Sequence, residues 1–213
     1  AFGESVIAGY SGAIKINSLV ISSLVTMSNG ISSFSSQNLG ANKPKRISEG
    51  FKAGVIISLI IAVPLALVYV FAGKYLLLAF LEHPTGEAMK VGSRFLLFVA
   101  PFYPVVAIKV IADGSMRGMG KMLPFATTTF VDLILRVVAA VVLAKPMGTD
   151  GIWVSWPIGW GVSTVLSIVL YVLVMKKVNK SAKTAEETTV NETEKLAEDA
   201  VANSVTDNED TQI

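Results

Sequence analysis

Apolar residues gather along this chain in five runs, at residues 5–39, 51–72, 91–116, 123–143 and 152–175. Each is long enough to cross a bilayer, which takes about 20 residues of helix. Short polar loops separate the runs. Beyond Lys183 the chain turns polar and acidic, with few large apolar groups to bury. This pattern predicts an all-α fold, a polytopic transmembrane helix bundle with about five spanning helices over residues 1–180. A disordered acidic cytoplasmic tail is expected over 181–213. The second run is expected to continue past Gly73 as a short interfacial helix, Lys74 to Leu81.

The first run carries a polar stripe. Ser11, Lys15, Ser18, Ser22, Thr26, Asn29, Ser33 and Ser36 recur at intervals of three and four, which places them on one helical face. Lipid cannot solvate such a face, so it lines water or packs on polar partners. Packing through small residues is the simpler alternative. Lys15 favours a cavity wall, because it lies about 14 Å inside the outer end of the helix. An ammonium at that depth costs several kcal/mol unless water or an anion reaches it.

Composition sharpens the class. Hydrophobic types make up 52% of the 213 residues and charged types only 16%, where a soluble domain carries about 25% charged residues. There is no cysteine and one histidine, His83, so thiol chemistry and multi-histidine metal sites are excluded. His83, next to Pro84, is expected in an exposed loop. No Ser-His-Asp set, phosphate-binding loop or H-E-x-x-H motif appears, and no enzymatic activity is expected. The glycine-rich turn of Gly114, Gly118 and Gly120 follows a spanning helix and opens no phosphate site.

Charge orients the bundle. Residues 1–175 hold 13 Lys/Arg against 7 Asp/Glu, whereas residues 176–213 hold 5 against 9. The basic excess is small and scattered, which argues against nucleic acid as a partner. The loops after the first, third and fifth runs carry ten of the positive charges, among them Lys43, Lys45, Arg46 and Lys121. The opposite loops carry four, Lys74, Lys90, Arg94 and Lys145. The first set therefore faces the cytoplasm, with the tail inside and Ala1 outside. That placement leads to the expectation that Ala1 lies within a longer chain. Trp153, Trp156 and Trp160 are expected as an aromatic belt at the outer end of the fifth span.

The remaining intramembrane charges lie in the third and fourth runs. Lys109, Asp113 and Arg117 are four apart, and so are Asp132 and Arg136. A short turn makes these two runs an antiparallel hairpin. Lys109 and Asp132 then reach a similar depth, about 16 Å from the turn. They are expected to approach each other, or to face one shared cavity, near the midplane. A static ion pair that fixes helix register is the alternative. Asp113 with Arg117 is expected as a structural pair at the cytoplasmic mouth. Lys15, Lys109 and Arg136 against Asp113 and Asp132 leave a surplus of one positive charge.

Two stretches carry a family resemblance. One is Asn29-Gly30 followed by Gln37-Asn38-Leu39-Gly40-Ala41-Asn42-Lys43-Pro44-Lys45-Arg46; the other is Met116-Arg117-Gly118-Met119-Gly120-Lys121. Both resemble the multidrug and toxic compound extrusion (MATE) family of cation-coupled antiporters. The resemblance covers roughly residues 1–180. It implies that the five spans match helices eight to twelve of a twelve-helix transporter, with the N-terminal lobe missing. It also implies a multi-pass protein of the cell membrane that exports amphipathic drugs or other xenobiotics by alternating access. Membrane lipid would surround it and H+ or Na+ would drive it, with no other cofactor and no metal. Some members place an acid high in the tenth helix. Here that region reads Pro101-Phe102-Tyr103-Pro104-Val105-Val106, without one. On this reading Lys15, Ser18, Ser22, Asn29, Lys109, Asp113, Asp132 and Arg136 line the transport pathway. Two alternatives remain at this point: a lipid-linked oligosaccharide flippase of the same superfamily, which suits the cationic surplus, and a non-transporting truncated membrane protein, which would have no polar cavity.

Overall fold

The computed structural model describes residues 3–81 and 85–209. The loop expected at Glu82 and His83 lies outside them. Six α-helices follow one another: α1 Glu4–Gly40, α2 Pro44–Phe80, α3 Gly86–Val99, α4 Tyr103–Gly118, α5 Met122–Met147 and α6 Thr149–Glu209. Among the described residues, four stretches are long and apolar enough to cross a membrane: α2, α3 with α4, α5, and the first part of α6. The first expected span, α1, falls short of that bar because its 37 residues include ten serines. It is nevertheless as long as α2 and packs against α2, α3 and α4.

The third span is one path in two helices. A 3-10 turn, Ala100–Phe102, separates α3 from α4. Pro101 lies within it and Pro104 follows in the first turn of α4, and each removes a backbone donor and crowds the preceding turn. Pro64 and Pro157 sit inside helices that continue past them. The expected interfacial helix is instead the end of α2, which runs unbroken past Gly73 because that glycine is buried against Leu96.

The loop around Lys43–Arg46 is also shorter than expected. Pro44 opens α2, where its preset φ suits the first helical position. Only Ala41, Asn42 and Lys43 link α1 to α2. All three tight turns use positive φ, 54° at Asn42, 71° at Gly120 and 60° at Gly148.

The core lies between the buried face of α1 and helices α2, α3, α4 and α6. Ile16, Val20 and Leu24 meet Leu77, Phe95, Leu96 and the fully buried Tyr103. Two tyrosines tie the polar backbone and side chains of α1 into this core. The Tyr69 hydroxyl donates to the Ile16 carbonyl at 3.0 Å, and the Tyr103 hydroxyl donates to Asn17 Oδ1 at 3.0 Å. The tryptophans do not form the expected belt. Trp153 and Trp160 are buried, and Trp153 and Trp156 meet the edge of Phe95. An indole whose faces all find aromatic partners gains more from packing than from an interface.

Helix α5 is the outermost element. Thr128 is its one buried residue, while Phe130, Leu133, Val137 and Val141 stand exposed. A helix so apolar on its outer side belongs against lipid or another protein. Helix α6 continues beyond Lys183 as far as Glu209, where composition predicts disorder. From Lys183 to Thr189 its side chains are all exposed, so this stretch has no packing of its own.

At the end opposite the basic loops, Arg94 Nη2 meets Asp150 Oδ2 at 2.6 Å, with the arginine 54% exposed. An ion pair so open contributes about 1 kcal/mol at most. Asp150→Ala is therefore expected to shift the melting temperature only slightly. A loss as large as that of a core cavity would show that this pair is shielded.

Candidate functional site

A cavity of about 400 Å³ opens between α1, α4, α5 and α6. That volume lies within the usual range of small-molecule sites, about 300–1,000 Å³. Its polar wall comes from Ser18 and Ser22 of α1, Lys109 of α4, and Asp132 and Arg136 of α5. Trp156 and Trp160 of α6 supply an aromatic wall.

The polar stripe of α1 faces outward, not into the bundle. All eight of its residues, Ser11 through Ser36, are exposed. Small-residue packing within this chain uses a different face, which carries Gly9, Gly12, Ala13, Ser28 and Ser35. The stripe thus borders the cavity through Ser18 and Ser22. Lys15 lies on the same open face beyond the cavity. Asn29 lies beyond it at the other end, where its Oδ1 accepts from Arg117 Nη2 at 2.7 Å.

Each buried acid has chosen a partner within its own helix. Lys109 Nζ donates to Asp113 Oδ2 at 2.6 Å, and Arg136 Nη2 donates to Asp132 Oδ2 at 2.7 Å. Lys109 and Asp132 face one shared cavity but do not pair. Asp113 does not pair with Arg117 at the mouth, because Arg117 turns to Asn29 and lies 5.6 Å from the Phe125 ring. A four-residue spacing brings the groups together at little entropic cost, whereas a cross-helix pair needs two helices in register.

The two pairs differ in their surroundings. Lys109 and Asp113 expose only 9% and 7% of their side chains. Asp113 Oδ1 also accepts from Thr128 at 3.0 Å and from Ser167 at 2.8 Å. One carboxylate thereby joins α4, α5 and α6, and its charge is held by three donors. Asp113 sits behind the cavity wall, not in it.

Asp132 and Arg136 are more open, at 15% and 25%. Asp132 Oδ1 has a longer contact to the Ser163 hydroxyl, at 3.4 Å. The Arg136 guanidinium lies 4.5 Å from the Trp156 ring and 5.8 Å from Trp160, within cation–π range. Its buried Nε has no hydrogen-bond partner.

Lys15, one of the three cations counted from sequence, lies outside the cavity. The lining still keeps a surplus of one positive charge, Lys109 and Arg136 against Asp132, with Asp113 behind the wall. Among the described residues no cluster of acids and histidine is arranged to hold a metal ion.

Sequence reasoning missed Asn17, Thr128, Ser163, Ser167, Trp156 and Trp160 at this site. A usable signal existed for three of them. Thr128 lies four residues before Asp132, and Ser163 and Ser167 lie four apart in an apolar helix. Each spacing marks one polar face.

Residues 1–142 match the sequence profile of the MatE family. The probable multidrug resistance protein YoeA of Bacillus subtilis (strain 168) is 28% identical over 180 residues, covering 83% of this chain and 38% of the relative. The multidrug resistance protein NorM of Vibrio vulnificus (strain YJ016) is 27% identical over 168 residues, covering 74% of this chain and 36% of the relative. Among solved structures, an inward-facing multidrug resistance MATE family transporter of the MOP superfamily aligns with a TM-score of 0.71 at 16% identity. That alignment covers 79% of this chain and 39% of the other; the likeness is one of fold. The chain spans well under half the length of the curated relatives it matches.

Proposed function

Because this chain belongs to the MatE family, we propose that it is part of a cation-coupled antiporter that exports drugs or other xenobiotics by alternating access. The observation that carries this reading is the polar, aromatic-walled cavity lying beside an α1 face that no described residue of this chain covers. A second lobe of the same protein would close over that face and complete the pathway. The relatives' greater length supports such a lobe. The protein would sit in the cell membrane with its C-terminal segment in the cytoplasm, the side of the ten basic loop charges.

The walls suit an amphipathic drug. Two indoles offer apolar faces, and the Asp132 carboxylate and the Ser18 and Ser22 hydroxyls offer polar contacts. H+ or Na+ drives the cycle. Binding of a cation to Asp132 would free Arg136 from its partner and change the charge of the wall. Such a change would link a local charge event to the α5 face that lines the cavity.

The test uses the full-length protein in cells, with a lipophilic cation such as ethidium as the transported probe. Asp132→Ala is expected to lower efflux about tenfold at unchanged surface expression, the loss of one charge-assisted contact, whereas Lys109→Ala is expected to lower efflux and surface expression together, because it leaves Asp113 buried without its partner. Unchanged efflux from both variants would remove the cavity from the pathway.

A further inference from the structure

A second cleft, of about 240 Å³, lies at the end of the bundle that carries the basic loops. Leu39, Asn42 and Pro44 form one side of it. Lys121 of the α4–α5 turn and Lys177 and Ser181 of α6 form the other. Among the described residues no carboxylate lines it. Among the described residues neither lysine takes part in an ion pair. Further basic residues adjoin the lining in sequence: Lys43 between Asn42 and Pro44, Lys176 before Lys177, and Lys180 before Ser181.

The cleft sits where exposed apolar surface gives way to charge. Directly after Lys121 come Met122 and Leu123, which are 57% and 83% exposed. On α6 the exposed Val169, Val172 and Leu173 end just before Lys176 and Lys177. Two helices thus mark the same boundary between hydrocarbon and headgroup, and both lysines stand on it. Leu39, Pro44 and Val178 give the cleft an apolar floor. Lysines near a membrane surface draw acidic lipid headgroups, and basic pockets between spanning helices hold them.

We propose that this cleft seats the headgroup of an acidic glycerophospholipid, with its phosphate between Lys121 and Lys177 and its glycerol end on the apolar floor. The site is separate from the transport cavity and does not depend on the transport reading. It would fix the α4–α5 turn against the α1–α2 turn and α6, the three elements whose relative positions set that end of the bundle.

The test is retention of lipid by the full-length protein. The protein is reconstituted in bilayers of mixed phosphatidylcholine and phosphatidylglycerol, released into detergent and weighed by native mass spectrometry. Phosphatidylglycerol is expected to be retained over phosphatidylcholine. Lys121→Gln with Lys177→Gln is expected to weaken that retention about thirtyfold, about fivefold for each charge removed. Lys74→Gln with Lys90→Gln, at the opposite end, is expected to leave it unchanged. Equal retention by the two double variants, or no preference between the lipids, would overturn the proposal. So would full displacement of the lipid by inorganic phosphate, which would mark a plain anion site. A melting temperature equal to that of the parent keeps a loss of retention from being mistaken for misfolding.

Discussion

Replacing Asp113 by alanine is expected to destabilise the protein by about 3–5 kcal/mol, the usual consequence of leaving one member of a buried ion pair alone. The Lys109 side chain is 9% exposed, and Asp113 is its one ion-pair partner among the described residues. Alanine would strand the ammonium and also leave the hydroxyls of Thr128 and Ser167 without the oxygen they share. Asp113→Asn keeps an acceptor for the hydroxyls but not the opposing charge, so it is expected to fall between alanine and the parent. Thermal unfolding in detergent, read by size-exclusion chromatography, reports these differences directly.

The double variant Lys109→Met with Asp113→Leu separates structure from transport. Apolar side chains of similar size in place of a buried pair are commonly neutral or stabilising. The double variant is therefore expected to melt well above the single alanine variant. If it folds and still exports, the pair is a static joint between α4, α5 and α6. If it folds and export is lost, the charges themselves take part. Parent-like melting of Asp113→Ala would show that water reaches Lys109, which contradicts its burial.

The sequence made the long helices legible because apolar run length is set by the bilayer and survives any detail of packing. It also put the α1 stripe on one exposed face, since a spacing of three and four defines a face whatever the neighbours are, but not along the cavity, which only Ser18 and Ser22 border. It brought Lys109 and Asp132 to one cavity because depth follows from residue count in a hairpin. Partner choice was not legible. Asp113 stands between Lys109 and Arg117 at equal spacing, so periodicity cannot rank them. The choice is made by Asn29, which reaches Arg117 only once α1 and α4 are packed. The tryptophans misled for a related reason: position near a helix end suggests an interface, but Phe95 and Phe98, which surround Trp153, come from another helix.

Gly118→Leu is expected to be as damaging as the loss of Asp113, for a reason that involves no charge. Helices α1 and α4 approach closely enough for Ser28 Oγ to donate to the Val110 carbonyl at 2.6 Å, and for the hydroxyls of Ser35 and Ser115 to bond at 3.0 Å. Glycines make the approach possible. A Cβ at position 118 would land on the backbone of Ser32, and one at position 114 on Ser28. Two small residues four apart on one face are a common means of bringing membrane helices together. Overpacking costs about 1–3 kcal/mol where a side chain can move aside. Here the obstacle is backbone, so the whole α1–α4 contact must open, and the effect should reach the top of that range or exceed it. Gly118→Ala tests the same contact with one carbon. Gly30→Ala is the control, because nothing lies within 4 Å of the added carbon. That control should be neutral or raise stability by about 0.5–1 kcal/mol, since alanine loses less freedom in a helix. If Gly118→Ala melts like Gly30→Ala, α1 and α4 are farther apart than described. The Arg117–Asn29 contact and the cavity wall shared by Ser18, Ser22 and Lys109 would then fall with that spacing.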